Sequence, residues 1–417
     1  MAYGEPGKAA LRPEQVRTHL APVIVGGSYL GYSYVRSFHE TYGLTSTVIS
    51  SIDVKMTSTS RFCDYRVFDG ANDEERLVAY LCELGREITR AGKVGLLVGA
   101  ADWHARVLSS HKAELSEWYV VPYIDFELLD DITQKERFYE ICEELGIPYP
   151  TTRLLDCGKA EADPEVLAAF SYPCIAKPSN SASYDLVDFP GKEKVYTAKS
   201  AEDLARIHGL MHEAGYAASL IVQDKIPGED DAIRSLTTFS DASGDMRVVS
   251  GGRVVLQDHS PQFIGNPCVI LGERVDEVVE HARAFLKHTG YRGYANFDVM
   301  YDERDGQYKF FEVNTRAGRN TYYVSLGGVP FVRPIVEEFV LAHEIPYQEA
   351  FDFLYTVVPA SVVRRHVADD LLRDRTLALF REGKAGSPMS YEPESVAQKF
   401  WSGLTELRQI SKFNKWY

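Results

Sequence analysis

The segment 294–316 constrains the fold more strongly than any other part of the sequence. Apolar and polar residues alternate on both sides of Glu303–Gln307, whose Asp-Gly pair is typical of a turn, so we predict a β-hairpin. We place Asp298 opposite Glu312, because a one-residue slip would mix apolar and polar side chains on both faces. One face then holds Phe297, Val299, Phe311 and Val313, and the other holds Asn296, Asp298, Glu312 and Asn314.

The polar face of this hairpin suggests a metal site. Two facing carboxylates, Asp298 and Glu312, repel each other unless a cation lies between them. With the amide of Asn314 they form a set of hard oxygen ligands that suits Mg²⁺, or Mn²⁺ in its place. A solvated hairpin face is the other interpretation. Arg316 and Arg319 favour the metal, because phosphoryl transfer needs guanidinium groups beside it.

Residues 21–132 alternate short apolar strands with helical stretches. This alternation is typical of a doubly wound parallel sheet. The glycine-rich segment Gly26–Gly31 follows the first strand, but its spacing differs from the dinucleotide-binding fingerprint. We therefore interpret it as a tight strand-to-helix turn that could line a substrate pocket.

The pattern changes after Thr133, where a helix, three short strands and a second helix indicate a small α+β lobe that ends at Pro227-Gly228. The fold class is thus α/β together with α+β. We predict a polar leader at 1–20, a Rossmann-like domain at 21–132, a small lobe at 133–228, a large lobe with the metal site at 229–341 and a helical C-terminal region at 342–417.

Two lysines extend the candidate site. Lys177 leaves a buried strand for the polar loop 178–184, where backbone N–H groups and hydroxyls could help to hold phosphate. Lys135 lies in the first turn of a helix, where the helix dipole disfavours a cation, and a bound phosphate would explain its position. Solvated lysines are the alternative interpretation of both. The strand-to-turn segment Gln223–Gly228 offers backbone groups that could read an adenine edge.

Composition excludes several classes of protein. Asp and Glu number 60 against 45 Lys and Arg, and the net charge of −15 argues against a nucleic-acid partner. The six cysteines are scattered and form no CxxC pair, so we expect neither a disulfide framework nor a zinc site. The first 20 residues lack the apolar core of a signal peptide, and no apolar run is long enough to span a bilayer. We expect a cytoplasmic protein.

These pieces, in this order, resemble the ATP-grasp superfamily. Its pattern is a helix lysine, a strand lysine, a hinge that ends in Pro-Gly, and an Asp…Glu-x-Asn set followed by arginine. The resemblance implies an ATP-grasp fold with an N-terminal Rossmann-like preATP-grasp domain. The sequence departs from many members in the loop 179–183, which reads Ser-Asn-Ser-Ala-Ser where they have glycines.

A narrower resemblance is to the D-aspartate ligases of Gram-positive peptidoglycan cross-bridge synthesis. It implies an enzyme of cell-wall assembly that attaches the β-carboxylate of D-aspartate to the lysine side-chain amine of a peptidoglycan precursor, a lysine-containing muramyl peptide. The segments that carry it are 111–117, 122–125, 138–144, 221–224, 264–266 and 301–309.

The resemblance also implies a role for each candidate residue and an ADP-forming reaction through an acyl phosphate. Alternatives are an ATP-grasp ligase for another amino acid or a free dipeptide, and a nucleotide-binding regulatory protein with a degenerate site. The implied roles are ATP phosphate binding for Lys135 and Lys177, adenine binding for Gln223, Asp224 and Ile226, ribose binding for Asp230, Mg²⁺ binding for Asp298, Glu312 and Asn314, and stabilisation of the transferring phosphoryl group by Arg316, with Lys177 and Arg319 beside it.

Overall fold

The computed structural model describes residues 9–179, 184, 186–193, 195–261 and 263–417. Residues 180–183 of the predicted phosphate loop, residue 194 of a predicted strand and the first eight residues of the leader lie outside them. The chain divides into two compact units, and three sheets are found in its described part. The first unit comprises 1–147, 229–299 and 312–417, and the second comprises 148–228 and 300–311.

The first unit begins with a parallel sheet of strand order β3-β2-β1-β4-β5. Ile24 of β1 packs into one core, whereas Val23 and Val25 pack into another, so both faces of this sheet are covered. The strand order reverses between β1 and β4, which makes their carboxyl ends a switch point. The doubly wound fold predicted for this region is confirmed. Its strands are β1 (Leu20–Val25), β2 (Ser46–Ser50), β3 (Cys63–Val67), β4 (Val94–Gly99) and β5 (Tyr119–Val120).

The second unit contains an antiparallel sheet of order β6-β9-β7-β8. Cys174, Ala176, Leu220 and Val222 are buried on one of its faces, against the helix 201–213. Alternate residues of the same strands therefore form the opposite face. The strands are β6 (Thr152–Asp156), β7 (Cys174–Pro178), β8 (Tyr196–Ala198) and β9 (Ser219–Asp224).

A larger mixed sheet has the order β14-β13-β10-β11-β12-β16-β17, with β15 paired to β11. The predicted hairpin forms its edge. Three of its strands fall in the region 342–417 that we predicted to be helical, so this region joins the sheet as well as forming helices. The strands are β10 (Ile233–Ser240), β11 (Met246–Asp258), β12 (Asn266–Gly272), β13 (Gly293–Asp302), β14 (Gln307–Asn314), β15 (Gln348–Ala350), β16 (Leu354–Thr356) and β17 (Ala385–Gly386).

Helices cover the sheets. A π-helical segment runs from Val336 to Leu341. The α-helices in the described residues are α1 (Val16–His19), α2 (Tyr29–Tyr42), α3 (Lys55–Ser58), α4 (Glu74–Arg90), α5 (Asp102–Ser110), α6 (Lys112–Leu115), α7 (Phe126–Thr133), α8 (Lys135–Leu145), α9 (Pro164–Ala168), α10 (Ala201–Glu213), α11 (Asp276–Thr289), α12 (Tyr322–Leu326), α13 (Val332–Ile335), α14 (Ala360–His366), α15 (Asp370–Arg381) and α16 (Val396–Trp416).

The β13–β14 hairpin differs from its prediction in two details. The loop covers residues 303–306, one residue fewer than we predicted. The buried aromatic residue of β14 is Phe310, which is 1% exposed, whereas Phe311 is partly exposed. Phe310 and Val313 are thus buried three residues apart, whereas the prediction grouped Phe311 with Val313. That part of the hairpin prediction was wrong.

Candidate functional site

The base of the hairpin, in the first unit, brings together the three predicted metal ligands and one predicted phosphate ligand. Asn314 Nδ2 donates to Asp298 Oδ2 at 3.2 Å. Lys135 Nζ donates to Glu312 Oε2 at 2.7 Å. We call Asp298, Glu312, Asn314 and Lys135 the base cluster.

Aromatic packing holds Lys135 beside the hairpin. Phe138, one turn along α8, lies 5.2 Å from Phe285 of α11, measured between ring centroids. Phe285 lies 5.7 Å from Phe297 of β13 in turn. Because Phe297 and Asp298 point to opposite faces of the strand, this apolar contact fixes the helix while the polar groups meet on the other side. The carboxylate of Glu312 also offsets the unfavourable position of a lysine at a helix N-terminus.

The environment of the base cluster disfavours the negative charge of Asp298. Burial raises the pKa of Asp298 well above its ordinary value, and the neighbouring charge of Glu312 raises it further. Asn314, Arg316 and Lys135 oppose this shift in the Asp298 pKa without cancelling it. For Lys135, burial is the largest single influence and acts to lower the pKa, but the charge and hydrogen bond of Glu312, together with Tyr139 and Asp298, outweigh it and the pKa is raised. A further cation would fit this site.

The oxygen atoms of Asp298, Glu312 and Asn314 are possible ligands of a divalent metal ion. Two carboxylates and one amide oxygen are hard ligands of the kind Mg²⁺ takes together with water and substrate phosphates. No cluster of three or more His, Cys, Asp or Glu side chains suited to a metal occurs in the described ranges. The base cluster contributes only two such side chains, so phosphate oxygens and water would have to complete the coordination. On its ligand chemistry, and because a bound cation would favour the ionised form of Asp298, the cluster fits Mg²⁺.

The two predicted arginines follow β14 and differ in their contacts. Arg316 Nη2 donates to Asp102 Oδ2 at 2.6 Å, and its Nη1 donates to Ala317 O at 3.0 Å. Arg319 lies over the ring of Tyr29, 4.6 Å from its centroid. Asp102 begins α5 and Tyr29 begins α2, so both arginines reach the switch point of the parallel sheet.

Sequence reasoning missed Asp102 and its neighbour His104. Burial lowers the pKa of His104 to about 4, with the charge of Arg316 as the next cause, so its imidazole is neutral at pH 7. The signal that could have found both residues is their position just after β4, at the carboxyl end of a strand beside a switch point. The sequence does not show that Asp102 contacts Arg316, because the two residues are 214 positions apart in the chain.

An open pocket of about 390 Å³ adjoins the base cluster. Glu312 and Asn314 form part of its wall, together with Asp102, Trp103 and Arg106. Its size is within the range of small-molecule sites. The pocket therefore gives a small polar ligand access to the predicted metal ligands.

The second unit holds the other predicted phosphate ligand and the predicted adenine residues. Lys177 of β7 pairs with Ile221 of β9, and Ile175 pairs with Gln223, so Lys177 and Gln223 share the sheet face opposite the core. Gln223 is buried, and its Nε2 donates to Thr152 Oγ1 at 3.0 Å. Asp224 ends β9 and Ile226 is buried just beyond it. The predicted site residues thus fall into two groups, one in each unit.

Asp230, the predicted ribose ligand, lies in the first unit and already has several protein partners. Its Oδ2 accepts a hydrogen bond from the backbone N–H of Gln257 at 2.7 Å. Its Oδ1 lies 2.8 Å from His259 Nε2, and the hydroxyl of Tyr417 donates to Oδ2. A ribose would have to share this carboxylate with them.

The sequence is similar to that of a known ligase. The sequence is 33% identical over 412 residues to a D-aspartate ligase of Enterococcus faecium (strain Aus0004), with 95% of this chain and 96% of that protein covered. No family model matches the sequence.

Solved structures share the fold. The structure of N5-carboxyaminoimidazole ribonucleotide synthetase in complex with ADP gives a TM-score of 0.56, with 15% identity, 82% of this chain covered and 80% of that one. The L-amino acid ligase from Bacillus licheniformis gives 0.54, with 15% identity and coverage of 78% and 75%. No helix in the described part of the chain is both long and apolar enough to cross a membrane.

The fold is that of the ATP-grasp enzymes, and the protein is an ATP-dependent carboxylate–amine ligase by class. Within that class, the chain belongs to the D-aspartate ligase family, because its similarity to a member extends over nearly the whole of both chains.

Proposed function

We propose that the protein joins the β-carboxylate of D-aspartate to the lysine side-chain amine of a muramyl peptide precursor of peptidoglycan. The reaction would use ATP and Mg²⁺, pass through an acyl phosphate and release ADP and phosphate. We place it in the cytoplasm, where ATP is supplied. The observation that carries this proposal is the alignment with a D-aspartate ligase over 95% of the chain, which extends through both compact units.

The base cluster supports the first half of the reaction. A carboxylate is a poor electrophile, because its negative charge repels nucleophiles and oxide is a poor leaving group. Transfer of the γ-phosphoryl group of ATP to a carboxylate oxygen gives an acyl phosphate, and negative charge accumulates on the transferring oxygens. Lys135 and Arg316 would stabilise that charge from the first unit, with Arg319 beside them. Lys177 would bind phosphate from the second.

Asp298, Glu312 and Asn314 would hold Mg²⁺, which when bound would neutralise phosphate charge. Lys135 would balance the charge of Glu312, to which it is already bonded at 2.7 Å. Gln223, Asp224 and Ile226 would border the adenine, and Asp230 would contact the ribose.

In the second half of the reaction, the amine attacks the acyl carbon, a C–N bond forms and the C–O bond to phosphate breaks. The amine must arrive unprotonated, since an ammonium group has no lone pair to donate. Water must be excluded, because it would hydrolyse the acyl phosphate. The amide and inorganic phosphate are the products, and the proton lost by the amine goes to solvent or to a base.

A phosphate-release screen tests this proposal. Purified protein with ATP and Mg²⁺ is offered each D- and L-amino acid, with and without a lysine-containing muramyl peptide, and products are identified by mass spectrometry. We expect release of phosphate and ADP with D-aspartate and the peptide, together with an aspartyl adduct on the lysine. A product that forms with another amino acid, or with a second free amino acid as acceptor, would assign a different ligase. AMP and pyrophosphate would contradict the reaction class.

A further inference from the structure

A second cavity, of about 650 Å³, lies in the first unit away from the base cluster. Tyr29 of α2, the segment 356–359 after β16, the segment 385–392 and the C-terminal helix α16 form its wall. Its volume is typical of a small-molecule or peptide site. None of the roles proposed above uses it.

Helix α16 presents an inverted pattern of polarity. Gln398 (0% exposed), Ser402 (8%) and Gln409 are buried. Phe400 (60% exposed) and Leu407 (61%) face outwards on the same helix. A helix that packs only against an apolar core shows the reverse arrangement. The buried face of α16 is therefore suited to polar contacts.

The polar contacts of this face are incomplete within the described part of the chain. Ser402, which lines the cavity, has no hydrogen-bond partner for its Oγ there, and neither amide atom of Gln398 has one. Gln409 Oε1 likewise has no hydrogen-bond partner among the described residues, although the Gln409 side chain forms a hydrogen bond with Tyr29. A buried polar group without a partner costs about 1–3 kcal/mol. The Oγ of Ser402 is covered by protein in this structure, so a ligand in the cavity would reach it only if the Ser402 side chain turned towards the cavity.

The chemistry of the wall favours a peptide. Hydroxyl groups predominate among its polar side chains. Thr356 is already engaged with Val358, whereas Ser387, which accepts from Met389 N–H, and Thr405, which donates to Trp401 O, keep part of their hydrogen-bonding capacity for a ligand. Neutral groups that donate and accept in equal measure complement peptide amides better than phosphates, which need concentrated positive charge.

The charged side chains of the wall add a preference for a cation. Lys399 and Glu392 pair at 3.3 Å. Glu406 remains as a further acid, so the wall has a small negative excess that suits an amine-bearing peptide.

The cavity is linked to the proposed catalytic residue Arg319 through Tyr29. Tyr29 lines it, and the guanidinium of Arg319 lies 4.6 Å from the centroid of the same ring. Arg319 follows β14 in the loop that also carries Arg316. Tyr29 is thus shared between the wall of the cavity and the surroundings of Arg319, a residue that we propose to act on the transferring phosphoryl group.

We propose that this cavity binds the peptide part of the amine acceptor. The inference rests on the proposed function, in which the acceptor is a lysine-containing peptide, and adds where that peptide binds. Gly403 gives a clean way to test it. Gly403 lines the cavity from α16, and a Cβ built on it meets no atom within 4 Å, so a larger side chain can be added without backbone strain.

The experiment compares Gly403→Trp and Gly403→Leu with two controls. Gly403→Ala adds only a methyl group and improves helix propensity by about 1 kcal/mol. Ser411→Trp places the same indole on an exposed position of α16 that does not line the cavity. Peptide affinity is measured by calorimetry, and the KM of peptide, D-aspartate and ATP by phosphate release. We expect Gly403→Trp to weaken peptide binding and to raise the peptide KM by about tenfold or more, the equivalent of a 1.4 kcal/mol loss. The KM values of ATP and D-aspartate should not change.

Peptide affinity that is unchanged in a folded Gly403→Trp variant, or equally weakened in Ser411→Trp, would overturn the inference. Gly403→Leu keeps the test informative if the indole impairs folding. Failure of the proposed function is distinguishable from this. If the wild-type protein binds the peptide but ligates it to no amino acid, the proposed reaction is wrong. A loss of peptide binding in Gly403→Trp would still show that the cavity binds the peptide. No binding of the peptide to the wild-type protein would contradict both.

Discussion

Two aspartates on strand β13, Asp298 at the base of the hairpin and Asp302 at its tip, have opposite electrostatic environments. Asp302 is 0% exposed and is surrounded by cations: Arg304 Nη2 donates to it at 2.6 Å and Lys309 Nζ at 2.7 Å. The hydrogen bonds from Arg304, followed by those from Lys309, hold its pKa well below the usual range. At the base, burial and Glu312 raise the pKa of Asp298 instead.

The environment of Asp302 is that of a structural ion cluster, whereas the environment of Asp298 is that of a candidate ligand site. At the tip, the protein itself supplies the cations that a buried carboxylate needs, so nothing further has to bind. At the base, burial and the charge of Glu312 disfavour the ionised form of Asp298, although Asn314, Arg316 and Lys135 act in the opposite direction. A buried carboxylate whose pKa is raised in this way beside a pocket is a candidate for function rather than for folding alone.

The largest expected effect is on catalysis at the base. Asp298→Asn and Glu312→Gln keep the shape of each side chain but remove a metal-binding charge. We expect ADP formation to fall about 10³-fold or more, since electrostatic stabilisation of the transferring group is usually the largest catalytic contribution. Steady-state kinetics at saturating Mg²⁺ measure this. Asp305→Asn, at the exposed tip, is the matched control, and near-normal activity of either base variant would disprove the assignment.

The next largest effect is on stability at the tip. Asp302→Asn leaves Lys309, which is mostly buried, with Asp305 as its remaining acidic partner. We expect the free energy of unfolding to fall by about 3 kcal/mol, the lower end of the range for breaking a buried ion pair. Urea unfolding measures the loss. ADP formation by the folded variant should stay within about twofold of wild type, and a catalytic loss as large as that of Asp298→Asn would erase the distinction between tip and base.

A smaller effect is expected at Lys135. Lys135→Met removes the cation that is bonded to Glu312 and proposed to bind phosphate, and we expect kcat/KM for ATP to fall about 10²-fold. Lys135→Arg should recover part of the activity, because it restores the charge with a different geometry. Initial-rate kinetics across ATP concentrations check both. If Lys135→Met instead destabilises the fold by several kcal/mol while kcat/KM is retained, Lys135 belongs with the structural group.

The smallest effect is a pH dependence at the tip. The pKa of Asp302 is lower in the folded protein than in the unfolded chain, where it is about 3.9. The ionised side chain therefore stabilises the folded protein fully above about pH 3.9, and this contribution to the free energy of unfolding is lost as the pH falls towards the pKa of the folded state. The stability difference between wild type and Asp302→Asn should be constant from pH 7 to pH 5 and should narrow below about pH 4. Urea unfolding over this range measures it. A difference that widens on acidification would contradict the sign of the shift.

Much of this arrangement could be predicted from the sequence, because it depends on local pattern. The alternation of short strands and helices predicted for residues 21–132 is found in the structure, since apolar periodicity and flanking breakers define such elements locally. The hairpin and the closeness of Asp298, Glu312 and Asn314 likewise follow from alternation along two adjacent strands.

The parts that could not be predicted depend on long-range packing. The burial of Phe310 in place of Phe311 depends on what packs against each face of β14, which alternation along the strand alone cannot signal. The short strands β15, β16 and β17 have two or three residues each, too few to show a period, and they are strands because they pair with a sheet formed elsewhere in the chain. The contact between Arg316 and Asp102 depends on how the parallel sheet packs within the first unit.

The central claim is that a carboxylate of the substrate is phosphorylated by ATP before the amine attacks. D-aspartate labelled with ¹⁸O in its β-carboxylate tests this most directly, with mass spectrometry of the phosphate, nucleotide and amide products. We predict that one labelled oxygen appears in inorganic phosphate for each amide formed, with unlabelled ADP. Label in AMP and none in phosphate would show activation through an adenylate and would contradict the account.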